Sequence, residues 1–547
     1  MATLQFKGKN IIWNHHMSVP YHTLDLDEKL SYKQDKADGN LIVEGDNLPA
    51  LKSLLPQYTG KIKCIYIDPP YNTGKEGWVY NDNVNSPLIK EWIGKEIAQD
   101  DLTRHDKWLS MMTPRLKLLR ELLSDDGVIY ISIDENESYH LRILMNEIFG
   151  EENFITEITI QRSKNGLGSK EGYSTCLDYI LCYKRRAETN AFTGLEPDED
   201  YIKRYNKEDE YGLYKVDGLF RKKGAGQRRK DSPGCFYPLY KRDDGSIQLE
   251  YDANLREIYP KLPNGDDGRW IWSKEFAKDK IYRLVCGAEE TVYVKDYYSE
   301  DRRIKPKNLF SDNKYLTEVA TEEIKDIFGK KLFDTPKPTQ LIKDIVSNAT
   351  KGDAIILDAF AGSGTTAQAV LELNEEDGGN RKFILIQMPE NSEKEPNKNI
   401  TRDITRERVI KVIEKKLKNK DIGFEYKRVG QPIDAETILS GQLPTYKQLA
   451  KYVYYLATGQ SPKDKDIDEK KYLAGKVDHT EVYLLYTPDM EELKKMAITF
   501  EWAKEISKGN DNKKIVYAPA CFMDDEYLEQ FNIKFVSIPY NLFEREK

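Results

Sequence analysis

Two stretches of this chain alternate short apolar runs with amphipathic helical patterns, and a long stretch of different character separates them. In the first stretch, Leu41-Ile42-Val43 reads as a buried strand ending at Glu44-Gly45-Asp46-Asn47. A helical pattern follows at Leu48, Leu51, Leu54 and Leu55, and then a second apolar strand from Ile62 to Ile67. A helix with apolar positions Leu109, Met112, Leu116, Leu119 and Leu123, a strand from Val128 to Ile133, a helix from Leu141 to Phe149 and strands at 154–160 and 179–183 complete it. After Phe333 the alternation resumes, with a helix near 338–347, a strand at 354–357, a Gly-rich turn, a helix at 365–373, a strand at 383–387 and a helix at 401–417. Apolar strands alternating with helices predict a doubly wound, mainly parallel α/β sheet covered on both faces.

The remaining segments set the expected boundaries. Residues 1–40 have little periodicity and read as an N-terminal arm, followed by one half of the sheet at 41–185 and the other at 330–425. Residues 186–329, rich in Tyr, Trp, Lys, Arg, Asp and Gly, read as an inserted domain. Residues 426–547 read as a small C-terminal α/β domain with strands at 482–486 and 514–518 and two helices between them. The polar stretch 75–103 is too long for an idle connection and is expected to be a functional loop.

Composition narrows the classes. The chain is 39% hydrophobic and 32% charged, with no apolar run long enough to span a bilayer. Its start turns polar at once, without the apolar core of a signal peptide. The six cysteines show no CxxC spacing and no neighbouring His, so reduced thiols, a cytosolic setting and no metal site are expected. The formal net charge is -8, yet Lys215 to Lys230 holds seven basic residues against Asp217 alone. A globally acidic protein thus carries one strongly basic segment, suited to phosphates or guanine edges. Its residues Arg221, Lys222, Lys223, Arg228, Arg229 and Lys230 are the candidate nucleic-acid contacts. Trp270 and Trp272 read as core residues or as stacking platforms.

Two motifs carry chemistry. Asp358-Ala359-Phe360-Ala361-Gly362-Ser363-Gly364-Thr365-Thr366 follows an apolar strand and opens a helix, the setting in which a Gly-rich turn approaches a ligand closely. It has neither GxGxxG nor a Walker lysine, and an Asp at the strand end suits an ammonium group. Asp68-Pro69-Pro70-Tyr71 also follows a buried strand. Its prolines remove two N–H groups and leave a rigid turn with bare carbonyls beside a carboxylate and an aromatic ring. That set fits an exocyclic base amine: Asp68 and the Pro69 carbonyl would accept its N–H groups, freeing a delocalised lone pair to attack a sulfonium methyl, while Tyr71 stacks on the base. Such a base must first leave the duplex stack.

The sequence resembles the beta-group DNA amino-methyltransferases, in which the target-base motif precedes the cofactor motif, a circularly permuted order. More closely it resembles the modification subunit of type III restriction–modification systems. The resemblance rests on Asp68-Pro69-Pro70-Tyr71-Asn72-Thr73-Gly74, Arg104-His105-Asp106-Lys107-Trp108, Gly127 to Glu137, Phe333-Asp334-Thr335-Pro336-Lys337-Pro338 and the Phe360 to Thr366 loop. It implies S-adenosyl-L-methionine as cofactor, with Phe360, Gly362 and Gly364 lining it and Asp358 beneath its methionine end. Lys337 would pair with its carboxylate, and Thr365 and Thr366 would cap the helix and touch the ligand. Asp46 is expected either near the adenosine or as a helix N-cap. Asn72 is expected at the flipped base or shaping the turn, and His105 to be structural. The ribose partner is left open between Gln387 and Glu390. Asp rather than Ser before Pro-Pro-Tyr favours adenine N6 over cytosine N4. The family also implies double-stranded DNA as substrate, a target-recognition role for 186–329, a homodimer and a helicase–nuclease restriction subunit as partner. An orphan regulatory enzyme is the alternative, and the bacterial cytosol the expected location.

Overall fold

A computed structural model describes residues 3–73, 103–166, 172–287, 290–390, 397 and 399–538. The stretch 75–103, read above as a functional loop, lies outside these except for Thr103. The chain divides into two compact units, one of residues 1–193 with 306–547 and one of residues 194–305.

The first unit is built on a ten-stranded sheet. In chain order its strands are β1 (His22–Leu26), β2 (Leu41–Glu44), β3 (Ile62–Ile67), β4 (Leu123–Ile133), β5 (Phe154–Gln161), β6 (Leu177–Lys184), β7 (Leu309–Phe310), β8 (Ile355–Asp358), β9 (Lys382–Gln387) and β10 (Glu425–Pro432). The spatial order is β1-β10-β2-β9-β8-β3-β4-β6-β5-β7. The six strands from β10 to β4 run parallel to their neighbours, while β1, β6 and β5 add antiparallel pairings at the two sides. The sheet is therefore mixed, with the expected parallel centre.

Neighbouring residues of the central strands feed opposite cores. Ile65, Ile67, Ile129, Ile131, Leu357, Ile384 and Ile386 enter one buried cluster. Cys64, Tyr66, Val128, Tyr130, Ile356, Phe383 and Leu385 enter the other. Side chains alternate across a strand, so a strand covered on both faces must be apolar at every position. The covering helices used below are α1 (Asn47–Tyr58), α2 (Arg104–Leu122), α3 (Ser138–Phe149), α4 (Thr339–Ala349), α5 (Thr365–Asp377), α6 (Glu407–Lys415) and α7 (Tyr446–Thr458).

The observed boundaries differ from the expected ones at three places. The described residues 3–40 are packed rather than an arm: β1 pairs antiparallel with β10, and Ile12 is fully buried. The segment after 425 opens with β10, which joins the large sheet beside β2. Its helix α7 contributes Leu449, Val453 and Tyr455 to the same core cluster as Leu51 and Leu54 of α1. A four-stranded sheet follows, of Leu473–Val477, Thr480–Leu484, Lys513–Ala518 and Ile533–Ser537. The inserted unit is shorter than 186–329, because the helix Thr317–Phe328 buries Ala320, Ile324 and Ile327 along one face, and Ile327 packs in the core with Leu341 and Ile345 of α4.

Residues 194–305 hold two small antiparallel sheets, one of three strands around Leu239–Lys241 and one of four around Val292–Tyr297. Their core includes Phe220, Tyr237, Leu239, Ile258, Trp270 and Leu284.

Candidate active site

The parallel pairing of β3 with β8 matches Cys64 with Ile356 and Ile65 with Leu357. Chain that continues past β3 therefore emerges beside chain that continues past β8. Asp68 follows the end of β3, and Asp358 ends β8. Motifs far apart in sequence thus share one edge of the sheet, where open α/β sheets bind ligands.

Lys337 joins them: its Nζ lies 2.9 Å from Asp68 Oδ1 and 4.9 Å from the centroid of the Tyr71 ring. One ammonium thus faces both the carboxylate and the aromatic face of the target-base motif. The Tyr71 hydroxyl is buried without a hydrogen-bond partner among the described residues. Burial pushes its ionisation well above the ordinary tyrosine range, and the nearby Asp68 charge adds to this. Asp178, on β6, is a further buried acid in this neighbourhood. Burial raises its carboxyl, while Lys337 and Arg162 oppose that shift. The Pro70 carbonyl accepts a 2.6 Å hydrogen bond from Trp108 Nε1 of α2, which anchors the turn.

The Gly-rich loop folds over the end of β8. Gly362 has φ +50° and Gly364 φ +83°, backbone that side chains rarely adopt. A Cβ would come within 3.2 Å of Phe333 Cζ at Gly362 and within 3.1 Å of the Thr405 carbonyl at Gly364. Glycine is needed for close packing here as well as for backbone conformation. Asp358 is buried beneath the loop, accepting from Thr366 Oγ1 at 2.5 Å and from the Phe360 amide at 3.0 Å. Burial pushes its carboxyl up to about 7, against the lowering effect of those two donors.

Several expected contacts are already committed to the protein itself. Asp46 caps α1, accepting from the Leu48 amide at 2.8 Å, and pairs with Arg115 at 3.0 Å. The helix-cap reading is borne out. Thr365 Oγ1 donates to the Lys337 carbonyl at 3.3 Å and accepts from Arg408 at 2.8 Å, and Thr366 holds Asp358, so both hydroxyls brace the loop. Gln387 does the same, accepting from the Gly362 amide at 2.8 Å and donating to Glu390 at 2.7 Å. Of the two readings of Asn72, shaping the turn is visible in its backbone and its contact. It is fully buried in the left-handed region, φ +59°, and donates to Glu137 at 2.5 Å.

Other residues at the site went unnoticed in the sequence. Arg408 of α6, fully buried, donates to Ser363, Thr365 and Gln368 at 2.8 Å each and to Thr339 at 3.2 Å. Burial lowers its guanidinium to about 10, with Glu323 and Glu372 opposing. Asn47 Nδ2 donates to the Ala359 carbonyl at 3.0 Å and its Oδ1 accepts from Arg115 Nε, tying α1 to the loop. Each is a polar residue in a helical stretch, a pattern no different from a solvated face. His105, Glu137 and His140 also cluster, with potential ligand atoms within 4.8 Å of one another, where no metal-type grouping was expected.

In the unit 194–305, the basic segment divides by role. Arg229 pairs with Asp267 at 3.1 Å and lies 4.1 Å from the Phe236 ring centroid. Arg221 is half-buried and bridges in backbone to Trp270, while the Lys222 amide donates to Arg269. Lys223, Arg228 and Lys230 are exposed and form no ion pair among the described residues. Trp270 is a core residue, 2% exposed and stacked on Phe220 at 5.1 Å, and Trp272 packs partly buried against the same core.

A family model described as DNA methylase, N6_N4_Mtase, matches residues 62–428. The type II methyltransferase M.KpnI of Klebsiella pneumoniae is 42% identical over 367 residues, 67% of this chain and 84% of that protein. The type III restriction-modification enzyme EcoPI Mod subunit of Escherichia phage P1 is 35% identical over 446 residues, 75% of this chain and 68% of that protein. Among solved structures, the cytosine-N4-specific PvuII DNA methyltransferase aligns over 68% of this chain and 92% of its own at a TM-score of 0.32 and 12% identity, too distant to bear on the chemistry. The chain belongs to the N6/N4 DNA methylase family and is a DNA methyltransferase of the restriction–modification type. Among the described residues no helix is long and apolar enough to cross a membrane.

Proposed function

We propose that this enzyme methylates the N6 amine of adenine in a nucleotide flipped out of double-stranded DNA, as the modification subunit of a type III restriction–modification system. The observation that carries this reading is the meeting of the two motifs at the neighbouring ends of β3 and β8, with Lys337 2.9 Å from Asp68. Asp68 and the Pro69 carbonyl accept the two N–H groups of the amine and free its lone pair. Asp68 then takes the proton that becomes acidic once the nitrogen is alkylated. Tyr71 presents its ring to the base, with Lys337 against the ring.

The residues fit S-adenosylmethionine, which supplies an electrophilic methyl on sulfur when bound. A buried carboxyl poised near 7 at Asp358 suits an ammonium, and Lys337 suits a carboxylate. Gly362 and Gly364 let the loop pack tightly on Phe333 and Thr405 in a backbone conformation that shapes this edge, with Phe360 beside it. Asp46, Thr365 and Thr366 act behind this surface, holding α1 and the loop in place. Relatives that are type III Mod subunits support that class; a homodimer working with a helicase–nuclease subunit in the cytoplasm belongs to the same proposal.

Asp68→Ala is expected to abolish methyl transfer, a loss of at least about 10²–10³-fold, while cofactor and DNA binding persist. An active variant would sink the mechanism. Sequencing of modified bases in DNA from cells expressing the chain alone gives base and site together, and N4-methylcytosine there would replace adenine as the target.

A further inference from the structure

Two grips hold residues 70–72, and one of them is itself held by two histidines. Trp108 of α2 holds the Pro70 carbonyl at 2.6 Å. One turn earlier on the same helix, His105 Nδ1 lies 2.6 Å from Glu137 Oε1. Glu137, the residue before α3, accepts from Asn72 Nδ2 at 2.5 Å on that same oxygen, and its Oε2 lies 2.9 Å from His140 Nδ1. The carboxylate is completely buried, whereas the histidines are each about one-third exposed, at 33% and 36%. Asn72, directly after Tyr71, holds a left-handed backbone conformation, φ +59°. A non-glycine residue persists there only when its surroundings over-determine it.

The hydrogen-bond pattern also says what kind of cluster this is. Arg104 Nε donates to His105 Nε2 at 3.3 Å, so that nitrogen is an acceptor and Nδ1 carries the proton given to Glu137. With His140 and Asn72 as further donors, the buried carboxylate has three hydrogen-bond partners.

We propose that Glu137 is a positioning residue for methyl transfer: by holding Asn72 in its left-handed conformation, with His105 and His140 orienting the carboxylate, it sets the place of the Tyr71 ring and of Asp68 for the target base. The proposal rests on the reading of residues 68–71 as the target-base motif. Glu137 touches neither the base nor the cofactor in this scheme. Misplacing a reacting group by about 1 Å costs about a hundredfold in rate, so its loss is expected in turnover and not in affinity.

The test uses the full chain. Glu137→Gln keeps the shape but turns one oxygen into a donor facing other donors. Expected are a ten- to hundredfold fall in single-turnover methylation, unchanged affinity for S-adenosylmethionine, and altered fluorescence of 2-aminopurine placed at the target position. Adding Asn72→Asp to Glu137→Gln reverses the polarity of that hydrogen bond and is expected to restore part of the rate. His105→Ala and His140→Ala, at one-third-exposed sites, are expected to give smaller losses of the same kind. Wild-type turnover in Glu137→Gln would overturn the proposal, as would losses of cofactor affinity equal to those of rate across all the variants. Stoichiometric zinc in the purified protein would also overturn it. Asp68→Ala is measured beside them: an active Asp68→Ala defeats the target-base reading itself, whereas an inactive one with fully active Glu137→Gln defeats only the role of Glu137.

Discussion

At the scale of single residues, Asp358 gives this site a pH dependence whose sign follows from its environment. Its carboxyl is buried beneath the Gly-rich loop and pushed up to about 7. Because the folded-state value lies above the unfolded one, the neutral form is favoured by folding. The carboxyl therefore costs no stability below the ordinary carboxylate range, and the cost grows as pH rises from there to about 7. An ammonium bound against Asp358 requires the ionised form, so binding must supply the deprotonation at any pH below 7. S-adenosylmethionine affinity is expected to be about tenfold weaker at pH 6 than at pH 8. Asp358→Asn should bind weakly and without this slope. Calorimetric titration at the two pH values decides it, and a flat wild-type profile would place the ammonium elsewhere. Asp358 was legible from sequence because it ends an apolar strand and opens a Gly-rich turn, all within one short segment. Arg408 was not, and Gln387 and Glu137 were named without the contacts they make. Arg408 meets residues 40 to 69 positions away, Gln387 and Glu137 each reach a distant partner (Gly362 and Asn72) besides a near one, and nothing in a local pattern separates a buried helical arginine from a solvated one.

At the scale of elements, the central strands were legible because burial on both faces forces an unbroken apolar run, which stands out from an amphipathic helix. β1 and β10 were missed for the converse reason. β1 is half-buried and reads His22-Thr23-Leu24-Asp25-Leu26, and β10 carries Lys427, Arg428 and Gln431, so neither has a run to detect. Their pairing is seen only once the chain is folded. The helices at the cofactor edge are tied together by polar contacts. α6 reaches α5 and the start of α4 through Arg408, whose guanidinium serves Gln368, Ser363, Thr365 and Thr339. Glu323 Oε2 lies 3.6 Å from it. Arg408→Met would leave these buried hydroxyls and the carboxylate without their shared donor. Breaking a buried pair from one side costs about 3–5 kcal/mol, so the urea midpoint of the first unit should fall clearly. S-adenosylmethionine should weaken along with it, because Ser363 and Thr365 belong to the loop. A midpoint at the wild-type value would mean that Arg408 does not hold these helices together.

At the scale of the whole molecule, one contiguous stretch of chain, 194–305, forms a unit with a core of its own between the two parts of the catalytic unit. That separation makes the two tasks of the enzyme separately testable. The chain's net charge of -8 opposes binding to DNA, so affinity has to come from local concentrations of positive charge. Lys223, Arg228 and Lys230 are exposed cations outside any ion pair among the described residues, unlike Arg229, which pairs with Asp267. If these three contact phosphates, each contributes counterion release, and removing one lowers the slope of log K against log salt by about 0.9. Lys223→Ala/Arg228→Ala/Lys230→Ala is expected to weaken duplex binding by tenfold or more near physiological salt, and to flatten the slope by nearly three in total. S-adenosylmethionine affinity should stay at the wild-type value, since these residues and the Gly-rich loop belong to different units. Fluorescence anisotropy with labelled duplex over a range of KCl concentrations measures both quantities. A large loss of affinity at unchanged slope, confined to cognate DNA, would make these residues readers of base edges rather than phosphate contacts. Unchanged affinity would move the DNA-binding face away from this segment.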